Sequence, residues 1–385
     1  MSKNNISGNI PHSICNSSLL VLNLAHNNFS GPFPSCLMEQ TYFINILNLR
    51  GNHFEGMLPT NVTRCAFQTI DLNGNKIEGR LPRALGNCTY LEVLDLGNNK
   101  IADTFPSWLG SLSNLRVLVL RSNRLYGSIG YTFEDKSGDH FPNLQIIDLA
   151  SNNFTGSLHP QWFEKFISMK KYNNTGETIS HRHSISDGFY QDTVTISCKG
   201  FSMTFERILT TLTAIDLSDN ALEGSIPESV GKLVSLHVLN LSHNAFSGRI
   251  PPQIGGITAL ESLDLSSNWI SGEIPQELTN LTFLTVLNLS NNQLEGKIPE
   301  SRQFATFENS SYEGNAGLCG DPLPKCASWS PPSAEPHVES SSEHVDIVMF
   351  LFVGVGFGVG FAVGILMKTS WINRWFHSAV SRQRT

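Results

Sequence analysis

The 385-residue chain carries 33 acidic and 26 basic side chains, a net charge of −7, and only 15% of its residues are charged. Four Lys or Arg and no acid follow Ile347, which leaves −11 on residues 1–346 once those four are set aside, a surface that repels nucleic acid and other polyanions. Length alone would suggest about two or three globular domains, but an internal repeat makes that count meaningless.

The stretch Leu260 to Phe283 reads LESLDLSSNWISGEIPQELTNLTF and serves as the template for the rest. Apolar residues stand at its first, fourth and sixth places (Leu260, Leu263, Leu265), Asn268 at the ninth, and Ile270, Gly272, Ile274 and Pro275 follow. The same template starts at Leu19, Ile44, Phe67, Leu91, Leu115, Leu144, Leu212, Leu236, Leu260 and Leu284, usually in steps of about 24 residues. A period of this size signals a solenoid, because one turn cannot bury its own apolar edge and must stack on its neighbours. The fourth and sixth places alternate inward from a short strand while their neighbours line an exposed concave sheet. Asn fills the ninth column without exception, and its carboxamide can donate and accept within a turn, which gives it a structural task. Gly recurs at the corner, with only Asp103 departing. On the strand face, Asp71, Asp95, Asp148, Asp216 and Asp264 share one column with Asn23, Asn48, Asn240 and Asn288, which reads as a solvated ladder rather than as paired catalytic carboxylates.

In chain order, residues 1–167 are repeats, the first of them incomplete, since Met1 falls at a sixth position. No basic segment, apolar core and cleavage site precedes it, so the expectation is a chain lacking upstream repeats and a leader. The seven cysteines are Cys15, Cys36, Cys65, Cys88, Cys198, Cys319 and Cys326. Cys319 and Cys326 read as a disulfide pinning a cap, whereas Cys65 and Cys88, in one repeat column, read as two small buried thiols. Of eleven N-x-S/T sequons, Asn173 and Asn309 lie outside the regular strands and are the better glycan acceptors. A five-residue excess before Leu144 forms a polar loop around Glu134 to His140. Residues 168–211 break the repeat as an island, and Thr193 to Cys198 alternates like a strand, which favours folding. His181 and His183 have no third ligand nearby and read as loop histidines.

Four repeats follow (212–307), then a cap (308–327), an acidic stalk (328–346), an uncharged span (347–367) and a basic tail (368–385). The 21 residues of the span, at about 1.5 Å each, make a helix long enough to cross a bilayer. The flanking charges place the tail in the cytosol and the repeats outside, a single-pass type I orientation. Within it Gly354 and Gly358, and Gly356, Gly360 and Gly364, stand four apart, spacing that lets a second transmembrane helix approach closely.

The four repeats after an island, the sequence QFATF…NAGLCGDPLPKC, the Gly-rich span and phrases such as NCTYLEVLDLGNNKIADTFPSWLGSLSNLRVLVLRSN resemble plant leucine-rich-repeat receptor-like proteins. The island carries the family's motif of Tyr, eight residues, then Lys-Gly, as Tyr190, Lys199 and Gly200. The resemblance implies a leucine-rich-repeat solenoid of short parallel strands joined by irregular or 3-10 turns, followed by a single transmembrane α-helix. It also implies a kinase-lacking receptor, without cofactor, that binds an extracellular peptide or protein and signals, in plant defence, through an adaptor receptor kinase and a co-receptor kinase. The 18 residues after Met367 cannot hold a kinase, and no catalytic-loop or metal-binding kinase motif is present. Co-receptor contact is expected at Tyr190, Lys199 and Gly200 and at the exposed strand residues Thr285, Val286, Ser290 and Asn291 of the last repeat. Three alternatives stay open: an inhibitor of a microbial wall-degrading enzyme, a developmental peptide co-receptor, and a non-functional fragment.

Overall fold

The computed structural model describes residues 1–326 except 40–42, 63–64, 130–140, 172–179, 183–188, 199–200, 210 and 302. The expected stalk, membrane span with its glycines, and basic tail therefore lie outside the described residues, as do Asn173, Lys199 and Gly200. Among the described residues no helix is long and apolar enough to cross a membrane.

Each repeat contributes one three-residue strand to a parallel sheet. The first six are β1 (Val21–Asn23), β2 (Ile46–Asn48), β3 (Thr69–Asp71), β4 (Val93–Asp95), β5 (Val117–Val119) and β6 (Ile146–Asp148). The island adds two antiparallel hairpins, β7 (Ser180–Arg182) with β8 (Phe189–Gln191), and β9 (Val194–Cys198) with β10 (Phe201–Phe205). The main sheet resumes as β11 (Ala214–Asp216), β12 (Val238–Asn240), β13 (Ser262–Asp264) and β14 (Val286–Asn288). Strand β6 pairs directly with β11, Ile146 opposite Ala214 and Asp148 opposite Asp216, so the solenoid runs unbroken across the base of the island. The expected strand at Thr193 to Cys198 is β9.

A feature not anticipated is a second strand per coil. Segments just after the ladder Asn, such as His53–Met57 and Trp269–Glu273, pair in parallel into a five-stranded and a seven-stranded sheet. The rest of many coils turns through a 3-10 helix begun by Pro, as at Pro82, Pro227, Pro251 and Pro275, whose ring fixes a φ suited to the entry, while two coils use a short α-helix instead, Cys36–Glu39 and Pro160–Glu164. These turns bury Leu85, Val230, Ile254 and Leu278 into one continuous core. They pack so closely that a Cβ on Gly255 would collide with the Glu277 carbonyl oxygen of the next coil.

The Asn column does what its chemistry allows. Asn268 Nδ2 donates to Leu265 O in its own coil at 3.1 Å and to Leu241 O in the previous one at 3.0 Å, while its Oδ1 accepts the Phe246 N–H at 3.0 Å. One side chain thus satisfies backbone groups of two coils that have no other route to water. The residue before this Asn adopts a left-handed backbone in most coils, for example Ser267 and Asn291 at φ 54° and 55°. At the corner Gly272 has φ 79°, a region where a side chain is strained. Where Asp103 replaces the Gly, its Oδ2 accepts the Leu81 N–H at 3.1 Å.

Two expectations are corrected here. Cys65 and Cys88 are not free thiols but are joined in a disulfide, since residues one coil apart in the same column stack side by side, and Cys15 and Cys36 of the first two coils are joined as well. Nor does the repeat pattern stop before the cap. Asn315 donates to Leu289 O at 3.0 Å and accepts the Leu294 N–H at 3.0 Å, which is the ladder geometry again. The strand Gly317–Cys319 pairs with Gln293–Lys297, and the Cys319–Cys326 disulfide closes the end as expected.

Candidate functional site

Two columns of each main-sheet strand point away from the core: the third place of the repeat (Ile46, Thr69, Val93, Val117, Ile146, Ala214, Val238, Ser262, Val286) and the fifth. Their surroundings change along the solenoid. In the fifth column Asn48, Asp71, Asp95, Asp148 and Asp216 are buried, while Asn23, Asn240, Asp264 and Asn288 remain half-exposed.

The burial coincides with the island. Val194, Ile196 and Ile208 form an apolar cluster with Val93, Val117, Val119, Ile146, Ala214 and Val238 of the main sheet. Polar contacts fix the N-terminal edge of the seat. Asn48 Nδ2 donates to the Tyr190 hydroxyl at 2.7 Å, and Arg50 Nη2 donates to Thr195 Oγ1 at 2.8 Å. The island itself is tied by Thr195 to Thr204 across its second hairpin at 3.0 Å and by Arg207 Nε donating to Gln191 Oε1 at 3.1 Å. Burial holds the Tyr190 hydroxyl well above the usual phenol range. Tyr190 thus seats the island on β2, while Lys199 and Gly200, which in sequence separate the paired Cys198 and Phe201, lie outside the described residues.

The carboxylates beneath the island are therefore not a solvated ladder, and that reading is corrected: the island covers them. Arg50 Nη1 lies 3.3 Å from Asp95 and 3.8 Å from Asp71, and Arg121 Nη1 lies 3.0 Å from Asp148. Asp216 Oδ1 accepts from the Ser218 N–H and hydroxyl at 3.0 and 2.6 Å, but its buried Oδ2 has no hydrogen-bond partner among the described residues. Loss of hydration pushes the Asp148 carboxyl up to about 8, with Asp216 adding to the rise and Arg121 opposing it. Burial likewise raises Asp71, Asp95 and Asp216, with Arg50 opposing the first two.

Beyond the island the open face runs over Asp264 of β13 and over β14, although Ser262 of β13 is buried. Thr285 is exposed and donates its hydroxyl to Glu261 O at 3.0 Å, Val286 is half-buried, and Asn291 is exposed on its left-handed backbone. Ser290, expected to be exposed, is buried, and its hydroxyl donates to Asn288 Oδ1 at 2.8 Å. Asn309 is exposed in the cap, accessible to a glycan. Two further features offer less. A groove of about 1100 Å³ follows the Ile-Pro corners of the last coils, lined by Pro227, Pro251, Pro275, Arg249, Glu273 and Lys297, and is a product of the repeat itself. His12, Cys15 and Cys36 bring three donor atoms within 4.8 Å of one another, but the two sulfurs are bonded to each other and offer no thiolate.

The docking residues other than Tyr190 escaped sequence reasoning, although signals existed. Arg50 and Arg121 occupy the seventh column, where the other repeats have Ala, Asn, Gly or Ser, and Val119 breaks a fifth column otherwise made of Asp and Asn. An isolated cation in a repeat column marks a coil that meets something other than water.

Models of the leucine-rich repeat match residues 18–39, 66–125, 143–166, 211–233, 235–257 and 258–301. Receptor-like protein 6 of Arabidopsis thaliana is 49% identical over all of this chain and 39% of its own length, and receptor-like protein 53 of the same plant is 42% identical over 99% of this chain and 40% of its own. The ectodomain of the Arabidopsis receptor kinase HAESA, solved with a peptide hormone ligand, is 30% identical with a TM-score of 0.63, over 83% of this chain and 45% of the other. HAESA has also been solved with the peptide hormone IDA and the co-receptor SERK1, at 28% identity and a TM-score of 0.51, over 83% of this chain and 53% of that one. The chain thus spans about 40% of the length of these curated relatives. With its repeats and these likenesses, the chain belongs to the plant leucine-rich-repeat receptor-like proteins.

Proposed function

We propose that this chain is part of a non-catalytic cell-surface receptor that recognises an extracellular peptide or protein and signals through partner receptor kinases in plant defence. The observation that carries the reading is the open face of β13 and β14 beside the docked island, with Thr285, Val286 and Asn291 accessible. Support comes from the likeness to an ectodomain solved with a peptide hormone and a co-receptor. In this reading the island residues Tyr190, Lys199 and Gly200 help form the co-receptor contact, Tyr190 by seating the island on Asn48. The segment 347–367 anchors the protein as a single-pass helix in the plasma membrane, with the repeats outside and glycans on Asn173 and Asn309. Its Gly354, Gly356, Gly358, Gly360 and Gly364 pack against an adaptor kinase's helix.

The test is co-precipitation in plant cells of the chain fused behind an export leader. Thr285→Arg with Asn288→Arg should abolish ligand-induced recruitment of a co-receptor kinase, and Gly356, Gly360 and Gly364 replaced by Leu should abolish the constitutive adaptor association, both at normal glycan maturation. Wild-type recruitment by the first variant would refute the recognition surface, and wild-type adaptor binding by the second would refute the helix pairing.

A further inference from the structure

We propose that the island is a proton-sensitive clasp on the concave face, seated when the carboxyls beneath it are protonated and loosened when they ionise. The inference stands on the covered part of the sheet and does not depend on which ligand the open part takes.

The geometry allows the island to move without unfolding its support. Because β6 pairs directly with β11, the ten-stranded sheet is continuous beneath the island, and lifting the two hairpins breaks no strand of the solenoid. Among the described residues, an apolar patch and the contacts of Tyr190 and Thr195 hold the two hairpins to the main sheet, while the entry to the island is tied at its base by Ser235, which donates to Met169 O and Lys171 O. Such a patch of a few side chains, with the described hairpin strands paired to each other and not to the main sheet, is the kind of substructure that opens below the global unfolding free energy.

Charge makes this opening depend on pH. Four main-sheet carboxyls lie under the seat, Asp71, Asp95, Asp148 and Asp216, each no more than 3% exposed. The charged groups facing them among the described residues are Arg50, near Asp71 and Asp95, and Arg121, near Asp148. Asp95 and Asp216 flank Asp148, and Asp264 of β13 acts on Asp216. From the island side come the buried Asp192, which acts on Asp71, and the neutral Tyr190 hydroxyl. Arg207 of the island is exposed and bound to Gln191. Among the described residues, full ionisation thus places the four main-sheet carboxylates and Asp192 against two facing cations in a water-poor seam, and lifting the island restores their hydration.

The direction follows from linkage. A carboxyl whose protonation is favoured in the seated state binds more protons there than in the lifted state. Seating is therefore tightest below the ordinary Asp range, near pH 4, and weakens as pH rises through the seated value, about 8 for Asp148.

Hydrogen exchange by mass spectrometry on the full chain, at pH 5, 6, 7 and 8 and corrected for intrinsic rates, tests this. Peptides covering 189–208 report the island, and peptides covering 236–298 serve as the internal reference. Island protection should fall at least about tenfold between pH 5 and 8, the factor that one unit of pKa displacement supplies, while the reference stays level. Asp148→Asn with Asp216→Asn should keep the island protected at pH 8. Arg121→Gln, which needs no new fold and serves if the double variant fails to fold, should lower island protection at pH 8 and leave it unchanged at pH 5. Island protection in the wild type that is level across the range would overturn the proposal. So would an Asn variant that keeps the wild-type fall, or an Arg121→Gln variant that matches wild type at pH 8.

Discussion

The strands β2 to β6 with β11, and the strands β13 and β14, are built from the same repeat, yet their outward columns live in different surroundings. Beneath the island, third-column residues such as Val117 and Ile146 are fully buried and fifth-column acids are cut off from water. Two and three coils past β11, Asp264 and Val286 are half-exposed. The repeat fixes the backbone of both regions through the same Asn ladder, so the difference comes from one insertion. A solenoid can thus turn part of a binding face into a core without altering its coils, leaving the remainder open.

The sharpest way to break this contrast is to place a charge at matched positions. Ile196→Asp puts an unpaired carboxylate into the apolar seat and should cost the docking of the island more than about 3 kcal/mol. Limited proteolysis should show segment 180–208 cleaved while the solenoid melts at its usual temperature. Val286→Asp on the open strand should cost less than about 1 kcal/mol, and equal costs at the two sites would erase the distinction between covered and open face.

Next in size is the response to pH. Since burial raises the carboxyls of Asp71, Asp95, Asp148 and Asp216, the covered region should be most stable near pH 5 and lose stability toward pH 8, opposite to the trend of carboxylates held by surface ion pairs. Calorimetry across that range checks the sign, and Asp148→Asn should flatten the slope. A smaller effect is expected for Tyr190→Phe, which removes the hydroxyl bonded to Asn48 and should weaken island docking by about 1 kcal/mol, read as faster exchange at residues 189–191. Smallest of all, Thr285→Ala on the open strand should change the melting free energy by no more than about 0.5 kcal/mol. Its effect should appear only in recruitment of a co-receptor kinase.

The solenoid was legible because its signal is repeated: each Leu column and each Asn of the ladder, from Asn27 to Asn292, restates one packing solution. The same period hid what departs from it. Cys65 and Cys88 looked like ordinary core thiols because both fit an inward column, and only stacking of adjacent coils brings them into bonding distance. Asn315 was passed over because the apolar residue three places before it is Tyr312 rather than Leu. The acids of the strand face looked solvated because sequence pattern says which way a strand residue points and not what lies above it. That information resides in contacts such as Asn48 with Tyr190, 142 residues apart, for which no periodicity gives notice.

Whether the island sits on the main sheet is tested most directly by coupling across that contact. A double-mutant cycle of Asn48→Ala and Tyr190→Phe, followed by the opening free energy of residues 189–208 from hydrogen exchange, isolates the interaction between β2 and β8. A docked island predicts a coupling free energy of about 1 kcal/mol. Effects that add to within about 0.3 kcal/mol would contradict it and return the whole concave face, from β2 to β14, to solvent.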